Sequence, residues 1–132
     1  MTLYWLKEGR YMTERDRSII IHIEDHCTVI EQLVSRFGAD FDVFISDEAY
    51  YRSVTLSVFQ IGELAGKLSE QFREKTSNQI PWHQVRKMRN VIAHDYQAVD
   101  DETLWDTVLN DIPVLLNFCK SMIVKEKHQD VR

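Results

Sequence analysis

The chain has 132 residues, 44% of them hydrophobic and 28% charged, which suits one globular domain and excludes a disordered chain. Its formal net charge of −5 argues against a general nucleic-acid binder, because contacts to phosphate need cations. Four glycines and two prolines leave little material for the many turns of a β-rich fold, so we expect a few long helices.

The N-terminal residues do not resemble a secretion signal, because charged residues interrupt residues 1–11 where an apolar stretch is needed. No apolar run approaches the length of a membrane span, so we expect a cytoplasmic protein without a membrane partner. Met12 has the character of a second start. We therefore interpret residues 1–11 as an N-terminal extension, residues 12–126 as one domain and residues 127–132 as a C-terminal tail.

The first predicted helix runs from about Thr13 to Phe37. Thr13 with Asp16 three residues later resembles a capping box, and Gly38 is well placed to end the helix. Cys27 and Cys119 both fall on apolar helix faces and are interpreted as buried free thiols. The apolar positions of this helix recur at steps of three and four, and they are Ile19, Ile23, Cys27, Ile30, Val34 and Phe37.

The second predicted helix runs from about Asp47 to Glu74, with Ser46 as its N-cap. Its heptad-like stripe suits packing on another long helix and consists of Tyr51, Val54, Val58, Ile61, Ala65, Leu68 and Phe72. The connection before this helix is expected to form a short hydrophobic plug of Phe41, Val43, Phe44 and Ile45.

The third predicted helix begins at Pro81, a favourable first helical residue, and ends between His94 and Tyr96. Its apolar face consists of Trp82, Val85, Met88 and Ile92. The same helix carries the residues whose types point to chemistry.

A fourth predicted helix starts after Asp100 or Asp101 and runs to about Val124. Pro113 lies inside it and removes one backbone hydrogen bond, so we expect a kink there. Together the four helices predict an all-α fold, an antiparallel bundle of four main helices plus a short connecting helical segment. The apolar stripe of the fourth helix is Leu104, Val108, Ile112, Leu115, Cys119 and Met122.

Arg89, Asn90 and His94 offer a cation, an amide and a titratable base near one helix end. Asn90 and His94 are four residues apart and share a helix face. A histidine exchanges protons with a ribose 2′-OH or a leaving oxygen near neutral pH. An arginine holds two phosphate oxygens and stabilises transition-state charge. These groups suit cleavage of a phosphodiester without a metal, although their spacing alone is more typical of an ordinary helix surface.

Residues 89–96, RNVIAHDY, resemble the R-x4–6-H motif of HEPN domains, and the longer form R-N-x-x-x-H-x-Y resembles the HepT family. The resemblance covers about residues 12–124, because further short strings follow the order and spacing of that family. These strings are IGE at 61–63, KL at 67–68, FR at 72–73, IPW at 80–82, MRN at 88–90, HDY at 94–96, VD at 99–100 and DIP at 111–113.

The resemblance implies a HEPN-type helical fold and the toxin of a type VII toxin–antitoxin system, the HepT–MntA pair. It implies a metal-independent endoribonuclease that needs no cofactor and cuts RNA in the cleft of a homodimer, where two motifs face each other. Arg89, Asn90 and His94 are then the catalytic residues. Tyr96 matches the tyrosine to which an MntA-like nucleotidyltransferase antitoxin adds AMP, which inactivates the toxin.

Residues 67–95 carry six Lys or Arg against three Asp or Glu, so the basic part of this acidic chain coincides with the motif. Arg73, Arg86 and Lys87 are therefore candidate contacts to the RNA backbone, although a solvated helix surface also accounts for the charge. Glu63 is either a partner that orients the motif arginine or a solvent-facing carboxylate.

His22 and His26 are four residues apart, a spacing that binds metals, but no third ligand accompanies them and we expect no metal site. Gly62, inside a predicted helix, indicates close packing of another helix. An alternative function is a non-catalytic HEPN-like helical dimer that binds a nucleotide or a protein partner. The intact pair of Arg89 and His94 argues against it, because a scaffold has no chemical use for the pair.

Overall fold

The computed structural model describes residues 12–94 and 100–130, and every regular element in them is helical. The all-α fold predicted from the sequence is therefore confirmed. Four longer helices, of 24, 20, 13 and 19 residues, form the bundle as predicted, and short helical segments connect them. In chain order the elements are α1 Glu14–Phe37, α2 Phe41–Ser46, α3 Glu48–Lys67, α4 Glu70–Lys75, α5 Trp82–His94 and α6 Asp101–Asp106, then a π-helical turn Thr107–Asp111 that leads into α7 Ile112–Asp130.

Helix α1 begins and ends where its sequence signals predict. The Thr13 side chain accepts a hydrogen bond from the Asp16 backbone N at 3.1 Å, which caps the first turn. Gly38 follows the last residue with φ +104°, a conformation that favours glycine. The predicted apolar stripe faces the core, with Ile19, Ile23, Cys27 and Ile30 buried and Val34 and Phe37 packed against them.

The second predicted helix is wrong in one respect, because the structure divides it into α3 and α4. Helix α3 ends at Lys67, Leu68 adopts an extended conformation, and Ser69 caps α4 by accepting a hydrogen bond from the Phe72 backbone N. The first cap also differs from the prediction. Asp47, rather than Ser46, accepts the capping hydrogen bond from the Tyr50 backbone N at 3.0 Å.

The break at Ser69 is held by a buried carboxylate from α1. Asp16 is 2% exposed and accepts hydrogen bonds from the Ser69 backbone N at 2.9 Å and from Ser69 Oγ at 2.6 Å. On the other side, Arg73 Nη1 donates to the Leu68 carbonyl oxygen at 2.6 Å. These charged hydrogen bonds satisfy backbone groups that the broken helix leaves without helical partners. Asp16 thus connects two helices instead of completing a capping box.

The predicted hydrophobic plug is a short helix, α2, and only Phe44 of its four apolar residues is fully buried. Phe44 stacks on Trp105 with ring centroids 4.8 Å apart and meets the edge of Tyr50 at 5.2 Å. Val43 and Ile45 are 36% and 42% exposed, because they lie on the outer side of this single turn and a half. The aromatic cluster around Phe44 fixes α2 to α3 and α6.

The last helical run is distorted just before Pro113. The sequence predicts a kink there, and the structure contains a π-helical turn, Thr107–Asp111, that ends two residues earlier. A proline cannot donate to a carbonyl one turn back, and a wider turn accommodates the missing hydrogen bond. Helix α7 then continues to Asp130, past the predicted end near Val124.

Among the described residues, one stretch, Asp101–Val124, is long and apolar enough to cross a membrane by length and composition. Core helices of soluble proteins have the same length and apolar composition, so this stretch is only weak evidence for a membrane span. The predicted stripe of this run is buried against the other helices: Leu104, Val108, Ile112, Leu115, Cys119 and Met122. Cys27 and Cys119 are buried free thiols, as predicted, and burial raises the pKa of both.

Helix α3 has the central place in the bundle. It packs against α1 and against α5, and α1 also packs against α7. The contact between α3 and α5 carries the motif arginine, so the geometry of the site depends on how closely these two helices approach.

Candidate functional site

The backbones of α3 and α5 touch at Gly62 and Arg89. A Cβ atom added at Gly62 would lie 2.6 Å from Arg89 Cβ and 3.1 Å from the Arg89 backbone N. Any residue larger than glycine would therefore push the two helices apart. The close helix packing predicted at Gly62 is confirmed, and it places Arg89 directly on the surface of α3.

Three consecutive contacts from one face of α3 hold Arg89. Gly62 lies against the backbone of Arg89. Arg89 Nε also donates a hydrogen bond to Glu63 Oε1 in a salt bridge. Its guanidinium carbon lies 5.8 Å from the centroid of the Phe59 ring, a cation–π distance. Gly62 and Glu63 follow Phe59 by three and four residues, so both lie next to Phe59 on one side of the helix. The Arg89 and Glu63 side chains remain 40% and 32% exposed, which leaves the pair at the surface.

The sequence left two interpretations of Glu63 open, and the structure shows the contact with Arg89. A carboxylate on Nε and a ring beside the guanidinium restrict the rotamers of Arg89. The cation is therefore oriented before any substrate arrives.

His94 is the last residue of α5, and the helical backbone puts it on the same face as Asn90. It follows Arg89 by five positions, a rise of about 7.5 Å along the helix axis, which is comparable to the length of an arginine side chain. The side chains of Asn90 and His94 lie outside what the structure describes, and so does the whole of Tyr96. The helical backbone of α5 places Asn90 and His94, and the sequence alone places Tyr96.

The structure assigns different surroundings to the three candidate RNA contacts: two are exposed on α5, and the third is bonded to the end of α3. Arg86 is exposed on α5 and lines the same surface groove as Arg89, Glu63 and Gly62. Lys87 is exposed on the same helix. Arg73 instead donates to the carbonyl oxygens at the end of α3: Leu68 at 2.6 Å, and Ala65 and Gly66 at 3.4 Å.

Sequence reasoning missed Lys67, which lines the same groove as Arg86 and is exposed. The signal was its position four residues after Glu63 and next to a glycine on the same helix. The described residues bring no group of three or more His, Cys, Asp or Glu together in a way that could hold a metal, and this includes the surroundings of His22 and His26.

The arrangement presents an oriented guanidinium, with further cations along the same groove, on the helix that ends in a histidine. An oriented guanidinium can bind a phosphate and stabilise additional negative charge on it. An imidazole at the same helix end can transfer protons near neutral pH.

Comparison with known proteins gives consistent matches. A family model described as Ribonuclease HepT-like matches residues 23–122. The chain is 33% identical over 111 residues to "Putative RNase TTE0752" of Caldanaerobacter subterraneus subsp. tengcongensis, covering 84% of this chain and 96% of that one. It is 32% identical over 96 residues to "Probable ribonuclease HepT" of Thermococcus cleftensis, covering 71% and 86% of the two chains. No solved structure matches the chain significantly.

Proposed function

Because this chain belongs to the family of HepT-like ribonucleases, we propose that it is a metal-independent endoribonuclease and the toxin of a type VII toxin–antitoxin system. The observation that supports the proposal is the set of three contacts that hold Arg89 in place. Gly62, Glu63 and Phe59 hold this cation on the helix that ends at His94. These contacts orient the guanidinium, as binding of a phosphate in a defined position requires.

In the proposed reaction, the ribose 2′-oxygen attacks the adjacent phosphorus and the bond from phosphorus to the 5′-oxygen breaks. His94 takes the proton of the 2′-OH as a base and delivers a proton to the leaving 5′-oxygen as an acid, so that the two proton transfers balance. Arg89 binds the non-bridging oxygens, on which negative charge grows in the transition state. Asn90 supplies an amide on the same face as His94. The products are a 2′,3′-cyclic phosphate and a 5′-hydroxyl.

We further propose that the active form is a homodimer whose axis passes near α3 and α5. A net charge of −5 does not favour RNA binding, but two copies of the basic segment facing one cleft do. An apolar surface patch next to Arg89 suits such an interface. It consists of Leu56, which is 59% exposed, and the half-buried Phe59, and the buried Ile92 lies beneath them. Light scattering at micromolar concentration measures this state.

Incubation of the purified chain with single-stranded RNA in EDTA tests the ribonuclease proposal. We expect internal cuts at a rate that EDTA does not change, because histidine and arginine supply the proton transfer and the charge. Absence of any cut in RNA by an intact dimer would support the non-catalytic binding dimer instead.

Tyr96 is the proposed point of control. In the modification, the phenol oxygen attacks the α-phosphorus of ATP, pyrophosphate leaves and the phenol proton is released. The attached phosphate would compete with RNA for Arg89, and the nucleotide would fill the cleft. We expect Tyr96→Phe to remain an active ribonuclease that its nucleotidyltransferase partner and ATP no longer silence.

Intact-protein mass after incubation with partner and ATP measures this. Tyr51→Phe is the matched control, because Tyr51 is not the proposed target. Its hydroxyl donates a hydrogen bond at 2.6 Å to Asp101, a residue that lies close to the motif in the sequence. The control should gain AMP like the wild type. An AMP gain that persists in Tyr96→Phe would show that another residue is modified.

A further inference from the structure

A groove opens between α3 and α5 beside Arg89, and we name it the Gly66 groove after its floor. The two backbones touch at Gly62, but one turn along α3 a Cβ atom added at Gly66 would meet only Arg86 Nε, at 3.7 Å. The gap thus has a glycine floor, with Lys67 on one wall and Arg86 on the other. The residues that line it are Gly62, Glu63, Gly66, Lys67, Arg86 and Arg89.

The electrostatics of the Gly66 groove favour an anion. Lys67 and Arg86 are both exposed, and neither forms an ion pair with a side chain in the described ranges 12–94 and 100–130. The one carboxylate in the lining, Glu63, is already in a salt bridge with Arg89. Two unpaired cations therefore face the same gap from two helices.

The end of α3 would normally oppose an anion here, because the last carbonyl groups of a helix carry partial negative charge. Arg73 removes much of that opposition. Its Nη1 donates to the carbonyl oxygen of Leu68 at 2.6 Å and lies 3.4 Å from those of Ala65 and Gly66. A positive charge thus covers the helix end that borders the groove.

We propose that the Gly66 groove binds an RNA phosphate next to the one that is cleaved, with Lys67 and Arg86 as its cations. This inference rests on the proposed function, since Arg89 is taken to hold the scissile phosphate. Arg86 precedes Arg89 by three residues, roughly 4.5 Å along the helix axis. The long side chains supply the rest of the distance between adjacent phosphates of one strand. A row of cations that continues from Arg89 fits a strand better than a single anion.

Binding of a fluorescently labelled single-stranded RNA, followed by anisotropy at several salt concentrations, tests the groove directly. The proteins carry His94→Ala so that the RNA stays intact. Lys67→Ala and Arg86→Ala should each weaken binding about 10-fold, and each should reduce the slope of log affinity against log salt by about 0.7, the loss of one phosphate contact on a single strand. Lys120→Ala removes an exposed lysine from α7 and should change neither quantity. Unchanged slopes in both groove variants would overturn the proposal.

Cleavage of two substrates, with His94 intact, separates this subsite from the catalytic motif. On a long RNA, Lys67→Ala and Arg86→Ala should lower kcat/KM about 10-fold. On a dinucleotide with a single phosphodiester, they should match the wild type, because no neighbouring phosphate exists. Equal losses on both substrates would overturn the subsite, as would competition by inorganic phosphate as strong as that by the oligonucleotide. If the wild type cleaves neither RNA, the ribonuclease proposal fails, and the anisotropy still decides whether the groove binds a strand.

Discussion

Replacing His94 by alanine is expected to lower RNA cleavage by about 100-fold or more, because general acid–base catalysis contributes at least that factor. Arg89→Ala should cause a loss of similar size, since it removes a charge contact to the transition state. Arg89→Lys should remain impaired, because an ammonium cannot hold two phosphate oxygens in the fork geometry of a guanidinium. Initial rates on a single-stranded RNA measure all three effects.

His83→Ala is the matched control for this series. His83 is an exposed histidine on the same helix α5, about 1.7 turns before Arg89. Its removal should leave the rate unchanged. Far-ultraviolet circular dichroism should show the same helix content in every variant. Full activity in His94→Ala with loss of activity in His83→Ala would mean that the wrong histidine has been assigned.

Gly62→Ala is expected to destabilise the fold and to impair the site together. The added Cβ would lie 2.6 Å from Arg89 Cβ and 3.2 Å from Arg89 Cα, and side-chain rotation cannot relieve contacts with the backbone. Helices α3 and α5 must therefore move apart, at a cost of about 1–3 kcal/mol in the free energy of unfolding. Displacement of Arg89 by about 1 Å should reduce cleavage on the order of 10- to 100-fold.

Gly66→Ala is the control for stability, since its added Cβ would make one ordinary contact, at 3.7 Å from Arg86 Nε. Alanine has the higher helix propensity, by up to about 1 kcal/mol, so this variant should be as stable as the wild type or more so. Urea denaturation of the two variants measures the difference. Equal stability of Gly62→Ala and Gly66→Ala would contradict the close contact of α3 with α5.

The fold class could be predicted from local signals in the sequence. Thr13 and Gly38 mark the ends of α1, and the stripes of apolar residues identify the faces that are buried. At Ser69 the sequence offers only a residue type that favours N-caps, while the apolar stripe runs through Leu68 and Phe72 as if one helix continued. The break depends on Asp16, 53 residues away in the chain, and only tertiary structure brings that carboxylate to Ser69.

The candidate site likewise has a part that the sequence predicts and a part that depends on tertiary structure. Arg89 and His94 stand on one helix and form a motif that can be read from the sequence. The contacts that orient Arg89 come from α3. The sequence left Glu63 open between a partner of Arg89 and a solvent-facing carboxylate, and Phe59 carries no local sign of which helix it faces. Lys67 was missed because its position beside Gly66 does not show which residues lie across from it. Its relation to Arg86 exists only across the glycine floor of the groove.

The chemical ends of the RNA products test the proposed mechanism most directly. The wild-type chain is incubated with a single-stranded RNA of defined sequence in EDTA, and the fragments are analysed by mass spectrometry. Attack by the ribose 2′-oxygen predicts fragments with 2′,3′-cyclic phosphate or 3′-phosphate ends, paired with 5′-hydroxyl ends. Fragments with 5′-phosphate ends that form only when magnesium is added would contradict it.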